Sequence, residues 1–401
     1  MVLFLSNGHG EDLISAMIGQ KVSEMCKSCD RDIFGFPLVG LGKAYANANI
    51  EILGTQKVMP SGGFLRHGMS YMIKDIKEGL IKLTLQQIKD LKSINEKVKL
   101  IISVGDIYPL ILGGRYVNAP MLFLSTAKSE YIQGHFSIES KLMKKYADLV
   151  LARDEKTSKA LIKKGVNAKY AGNVMMDGFS ITGENFGFDL NKKVVGILPG
   201  SREEAYRNIK TLLDVVLNLK KLSNDSLDFI IGFAPNLDKN RLKYIVNESG
   251  WIYESGDVDE EGRQGITAYI YQGTKSVSPC IIVSQGRFGD VLNISSIVIG
   301  LSGTGNEQAA GLGKPVVTFI TDGPQFNLKF ALAQKKLLGE AVEFIESRDT
   351  KRIAKEVMGI LKDSTRISKM RNAGYKRMGK QGAAKRIGKI IVDYIATESW
   401  G

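Results

Sequence analysis

A chain of 401 residues exceeds what one hydrophobic core ordinarily organises and accommodates two domains. With 44% hydrophobic and 24% charged residues it is not a disordered polymer, and no apolar run is long enough to span a bilayer. The formal net charge of +13 calls for an anionic partner, whether nucleic acid, acidic lipid head groups or a phosphorylated substrate. Aromatic residues do not interleave with the basic clusters and no nucleic-acid motif occurs, so nucleic acid is set aside.

Met1-Val-Leu-Phe-Leu5 has no basic segment ahead of it and reads as a first strand, not a signal peptide, which points to a cytoplasmic protein. Val2 to Ser6 is the strand, Asn7-Gly-His-Gly-Glu-Asp12 a turn, and Leu13 to Met25 a helix by its periodicity. The turn lacks the G-x-G-x-x-G spacing, so NAD is not implied. His9 and Asp12 are placed to face a substrate from this turn; equally, Asp12 suits the first turn of the helix, where the dipole favours it. Cys26 and Cys29 form a C-x-x-C, but Cys280 is distant, so no zinc set exists and the pair reads as incidental. A glycine-rich loop, Ser61 to Gly68, precedes an amphipathic pattern from Met69 to Leu91 studded with lysines. Such a helix either packs on a sheet or lies on an anionic membrane.

Lys99 to Val104 is an apolar strand ending in Gly105-Asp106-Ile-Tyr-Pro109. A carboxylate at the end of a buried strand is placed for a general base, and its structural alternative is an Asx-turn or helix N-cap. The strand Pro120 to Ser125, the polar stretch Thr126 to Gly134, a helix from about Ile138 and the strand Asp148 to Ala152 continue a βαβαβ order. After a helix (Asp154 to Lys164) and a short strand (Asn167 to Ala171), the Gly- and Asn-containing stretch from Gly172 to Asn191 marks the linker.

The second half restarts with the strand leading to Leu198-Pro-Gly200-Ser201-Arg202 and a helix from Glu203 to about Leu222. Ser201 with Glu204 makes a capping box. Arg202 at a helix start opposes the dipole unless an anion sits nearby, which makes it a phosphate-ligand candidate. Asp257-Val-Asp259 matches a D-x-D metal motif but lies in an acidic loop without a preceding strand, so it reads as surface charge. The strand Ser296 to Leu301 runs into Ser302-Gly303-Thr304-Gly305, whose small residues allow close backbone approach by a ligand. A helix from near Gly305 then aims free N–H groups outward, an anion site. The same residues satisfy a structural reading, Thr304 as N-cap with Glu307 as its capping-box partner and Gly313 closing the helix, and the two are compatible. Gly323-Pro-Gln325-Phe-Asn327 opens the next helix, and a basic helical region runs from Lys351 to about Ile395.

In this order the motifs resemble glycosyltransferases of the GT-B fold, and among them lipid-A-disaccharide synthase and its relatives. The resemblance implies an α/β architecture of two Rossmann-like parallel-sheet domains facing a cleft, with a C-terminal helix crossing back to the first. It divides the chain into an acceptor domain (1–175), a linker (176–192), a nucleotide-sugar domain (193–370) and a basic C-terminal helix (371–401). It implies an inverting hexosyltransferase that uses a UDP-sugar and needs neither cofactor nor metal. Gly200, Ser201, Arg202 and the turn Ser302, Gly303, Thr304 and Gly305 would hold the diphosphate. The family's ribose-binding glutamate falls at Gln308 here, with Glu307 just before it, and Gln325 and Asn327 would touch the donor. Asp106 matches the family's base, and Asn7, Gly8, His9 and Asp12, with Phe64, Leu65 and the amphipathic helix, would face the acceptor. That acceptor is a lipid-linked or glycolipid hydroxyl, met by a protein peripheral on the inner face of the plasma membrane. The rival readings are a UDP-sugar 2-epimerase, a glycosyltransferase with a soluble acceptor and a non-catalytic nucleotide-sugar sensor.

Overall fold

The computed structural model describes residues 1–26, 32–58, 79–189, 191–256, 265–273, 280–321, 323 and 326–397. The loop at 61–68 with Phe64 and Leu65, the first part of the expected amphipathic helix (69–78), Cys29, the Asp257-Val-Asp259 motif and Gln325 lie outside the described residues. The chain forms two compact units, Met1–Gly178 with Gln381–Gly401, and Phe179–Lys380.

In the first unit the apolar runs become β1 (Val2–Ser6), β2 (Ile33–Pro37), β3 (Glu51–Ile52), β4 (Leu100–Gly105), β5 (Met121–Ser125), β6 (Leu149–Ala152) and β7 (Ala168–Lys169). Their order is β3-β2-β1-β4-β5-β6-β7, and every pairing is parallel. The helices are α1 (His9–Met25), α2 (Lys43–Asn47), α3 (Leu80–Ile94), α4 (Ile107–Tyr116), α5 (Ser137–Tyr146) and α6 (Glu155–Lys163). Side chains alternate across the sheet: Leu3, Leu5, Ile101 and Phe123 join the core under α3 to α6, while Val2, Phe4, Ile102 and Leu124 join the other core under α1 and residues 383–391. Burial on both faces is why these strands read as unbroken apolar runs. Pro109, taken from sequence as the end of a turn, sits in the first turn of α4, where a missing N–H is tolerated. Cys26 follows α1 and is disulfide-bonded.

The second unit holds β8 (Lys193–Leu198), β9 (Leu227–Phe233), β10 (Trp251–Ser255), β11 (Ile266–Gln272), β12 (Ile281–Gln285), β13 (Ile297–Gly300), β14 (Val316–Phe319) and β15 (Val342–Ile345). They run in the order β10-β11-β12-β9-β8-β13-β14-β15. This sheet is mixed, contrary to the expected parallel one, because β10, β11 and β12 pair antiparallel. The physical sign is the alternation in β11, where Ile266, Ala268 and Ile270 are buried between less buried neighbours, as one-faced antiparallel edges require. The helices are α7 (Glu204–Ser223), α8 (Lys239–Glu248), α9 (Phe288–Ile294), α10 (Gly303–Gly311), α11 (Leu328–Leu338), α12 (Thr350–Lys362) and α13 (Ser364–Met378).

The stretch expected as a linker is not a free tether. Buried Asp290 on α9 accepts from Thr182 N (2.7 Å), Thr182 Oγ1 (2.9 Å) and Gly183 N (2.9 Å), and Phe186 packs with Val194, Ile230 and Val291. The expected single basic C-terminal helix is divided. Asp363 ends α12 and caps α13 by accepting from Arg366 N at 2.9 Å, and Gly379 (φ +75°) and Gly382 (φ +89°) separate α13 from α14 (Ala383–Thr397). α14 belongs to the first unit and packs on α1. There Asp177 accepts from Gly382 N (2.5 Å) and Ala384 N (2.6 Å), and Arg386 Nε donates to Ala171 O at 2.8 Å.

In the second unit α13 crosses α10 so closely that a Cβ on Gly374 would overlap the backbone carbonyl of Ala310. Helix propensity alone favours alanine by about 1 kcal/mol, but overpacking against backbone costs about 1–3 kcal/mol. Gly374→Ala is therefore expected to lower the urea midpoint despite its better propensity; an unchanged or raised midpoint would refute this packing.

Candidate functional site

In the second sheet the chain lays β9 on one side of β8 and β13 on the other, so the loops leaving β8 and β13 part at a topological switch point. Those loops are Pro199 to Arg202 and Leu301 to Gly303, and Leu301 N donates to Leu198 O at 2.8 Å between them. Gly200 has φ +114°, and a Cβ there would lie 3.3 Å from Leu301 O, so glycine is needed both for its conformation and for the close approach. Asn208 Nδ2 donates to Pro199 O and Asn236 Nδ2 to Ser201 O, each at 2.9 Å, which fixes this loop from behind.

Ser302, not Thr304, caps α10: its Oγ accepts from Gly305 N at 3.2 Å, and the helix begins at Gly303. Glu307 therefore takes no part in a capping box. The turn is braced by two buried amides that sequence reasoning missed. Asn306 Nδ2 donates to Gly300 O (3.0 Å) and Gln334 Oε1 (2.7 Å), while Gln334 Nε2 donates to Ser302 O (3.2 Å) and Gly303 O (3.0 Å). An amide one turn into a short helix was the available signal, but its partner on α11 is twenty-eight residues away. What remains outward is the start of a nine-residue helix, whose first N–H groups have no intrahelical acceptor.

The Ser201–Glu204 capping box does not form. α7 begins at Glu204 with no side-chain cap, and Glu204 turns inward, where its Oε2 accepts from Phe326 N at 3.4 Å and lies against Gly323. It thus ties the turn before α11 to α7. Ser201, Arg202 and Thr304 are exposed, Ser302, Gly303 and Glu307 are half-buried, and Gly305 and Gln308 are buried. Asn327 caps α11, its Oδ1 accepting from Phe330 N at 3.0 Å.

In the first unit the switch point lies between β1 and β4. Asn7 follows β1 and Asp106 follows β4, and Asn7 Nδ2 donates to Asp106 Oδ1 at 2.9 Å. The same oxygen accepts from Tyr108 N at 2.8 Å, so Asp106 is also the N-cap of α4. Gly8 is buried at the start of α1, and His9 is exposed beside Gly40. Asp12 does not face outward with them: it is 1% exposed, accepts from Ser6 Oγ at 2.6 Å, and Ser6 Oγ in turn meets Tyr45 Oη at 2.7 Å. One turn along α1, its side chain points back at the sheet. Burial lifts its carboxyl from 3.8 to about 6, opposed by the Ser6 hydrogen bond.

Next to Asp106 the structure gathers residues to which the sequence reading gave no part in the site. Ser125, Lys128, His135 and Glu139 line a recess with Asp106, and Ser125 Oγ and His135 Nε2 are 2.8 Å apart.

No protein-family model matches the chain. It is 24% identical over 250 residues to lipid-A-disaccharide synthase from Syntrophotalea carbinolica, 56% of each chain. The chain thus spans little more than half the length of the curated relatives it matches. Among solved structures, the calicheamicin glycosyltransferase superposes with a TM-score of 0.59 at 13% identity, covering 99% of this chain and 98% of that one. The UDP-GlcNAc 2-epimerase from Neisseria meningitidis bound to UDP-GlcNAc gives a TM-score of 0.52 at 13% identity over 99% and 100%. These likenesses define a two-domain protein of the GT-B fold. Within that fold the sequence is lipid-A-disaccharide synthase-like.

Since the folded-state value of Asp12 lies above the unfolded one, its neutral form suits the fold. The stability it contributes is fully present below 3.8 and is lost as pH rises through about 6, on the order of 3 kcal/mol. Asp12→Asn, which keeps an acceptor for Ser6, should flatten the decline in unfolding free energy across that window; a decline equal to wild type would place the titration elsewhere.

Proposed function

We propose that the chain is an inverting glycosyltransferase that moves a sugar from UDP to a hydroxyl of a lipid-linked or glycolipid acceptor. The observation that carries this reading is the second switch point, where a glycine turn and a serine-capped helix meet beside an exposed arginine. Arg202 stands at the start of α7, where a cation opposes the dipole, and a bound diphosphate reconciles the two. The sequence likeness to lipid-A-disaccharide synthases supports the same class.

In this mechanism Gly200, Ser201, Arg202 and the start of α10 hold the diphosphate, and Asn327 contacts the donor. Glu307, on the more open side of α10 than Gln308, accepts from the ribose hydroxyls. The acceptor oxygen attacks the anomeric carbon while its proton passes to Asp106. As the bond from that carbon to the diphosphate oxygen breaks, the charge left on UDP falls on Arg202 and the helix N–H groups. One displacement inverts the anomeric centre. Asn7, Gly8 and His9 serve the acceptor side, and Asp12 supports the turn from within.

A membrane acceptor gives α3 a role. Ile81 and Leu85 are 59% and 56% exposed beside Lys82 and Lys89, a composition suited to an anionic lipid surface. From that face of α3 we propose peripheral attachment at the cytoplasmic side of the membrane; among the described residues no helix is long and apolar enough to cross one.

The likeness to a UDP-GlcNAc 2-epimerase favours one second reading. Incubation with a UDP-sugar alone separates the two, because an epimerase alters the sugar without any acceptor.

Arg202→Ala should weaken UDP binding in calorimetry roughly ten- to a hundredfold, the size of one or two charge-assisted hydrogen bonds. Asp106→Asn should bind UDP as wild type does yet transfer more slowly by on the order of 10²–10⁴. A wild-type chain that binds no UDP would remove the reading entirely.

A further inference from the structure

The register of the first sheet pairs Gly105 with Ser125, so Ser125 stands beside the residue that precedes Asp106. Thr126 N donates to Gly105 O at 3.2 Å and keeps the two strand ends together. His135 is 6% exposed, its Nε2 is taken by Ser125, and its Nδ1 is buried with no partner among the described residues. The segment bearing it is held firmly. Lys164 Nζ donates to His135 O at 2.5 Å, and Glu139 Oε2 accepts from Phe136 N and from Lys128 Nζ, both at 2.8 Å. A buried ring nitrogen left unpaired is unfavourable, and beside the recess a ligand can supply the missing partner.

The charges around the recess decide what suits it. Lys128 and Glu139 neutralise each other, so an anion gains little there. Burial keeps His135 below its ordinary value, opposed by Glu139, so the ring is uncharged and offers one donor and one acceptor. With Nε2 engaged, Nδ1 is one or the other. A hydroxyl can donate and accept, so it matches either tautomer.

We propose that His135, set by Ser125, is a second polar anchor of the acceptor, taking one ring hydroxyl of its sugar so that a neighbouring hydroxyl lies on Asp106. The inference rests on the glycosyltransferase reading for the chemistry of its ligand. His135 acts here by positioning, and Asp106 alone takes the proton.

The test uses the full chain and n-octyl β-glucoside, a sugar ring on an alkyl chain, below its micelle concentration. With 3 histidines in the chain, the ring resonances of His135 are identified by their loss in His135→Gln. The expected result is a saturable shift of those resonances in the wild type. Saturation-transfer titration should then show affinity falling roughly tenfold in His135→Gln, the effect of one hydrogen bond. That variant keeps an amide near the Nε2 position and loses Nδ1. His135→Asn does the reverse and should stay within about twofold of wild type. Unmoved His135 resonances, or equal affinities in all three chains, or losses that simply follow the melting temperatures, would each overturn the inference. Calorimetry with UDP on the same samples keeps the two readings apart. UDP binding without the glucoside response sinks the acceptor anchor alone, while a glucoside response without UDP binding sinks the transferase reading and leaves a sugar site.

Discussion

Parallel strands covered on both faces leave a ligand nowhere to meet the sheet except at the strand ends, and both units are shaped by that constraint. In each, the first strand is flanked by neighbours laid down on opposite sides, β2 and β4 about β1, β9 and β13 about β8. What each unit then presents depends on how the loops are braced. Asn7 and the first turn of α4 fix Asp106, whereas Asn306 and Gln334 fix the turn into α10.

Carboxylates near helix starts show how environment separates roles. Asp106 caps α4 and stays half-buried with a neighbour that donates to it. Asp12, one turn into α1, is enclosed and favours its proton. Glu204 starts α7 yet turns inward to brace another loop, while Arg202 and Glu203 stay exposed ahead of that helix. Three acidic residues of similar placement in sequence thus become a half-buried cap, a buried strut and a brace.

The strands at the centres of the sheets were legible because double burial writes itself as continuous apolar sequence, as in Leu100 to Gly105 and Ile297 to Gly300. The strand, glycine turn and helix order likewise located both switch points. Local capping was read less well: Ser302 and Thr304 are equally good caps by type, and only the backbone course selects one. The inward turn of Glu204 onto Phe326 is a long-range event, and Ser125 meets His135 through the fold of an irregular ten-residue stretch. No periodicity encodes which distant residue a buried polar group will find. The likeness to known sequences, in turn, covers little more than half of the chain, so it speaks for the fold and the class before any single residue.

The return of residues 381–397 to the first unit has a consequence for how the molecule is made. The second unit is one uninterrupted piece of chain, 179–380, and holds everything its core needs as soon as residue 380 is available. The first unit is begun earlier but finished later, because the core beneath α1 stays incomplete until Ile387 and Ile391 arrive and Asp177 finds the start of α14. During synthesis from the N-terminus the later-made unit is therefore the first able to close. For that interval the half carrying Asp106 has an open apolar flank, and it is the half more in need of protection while nascent.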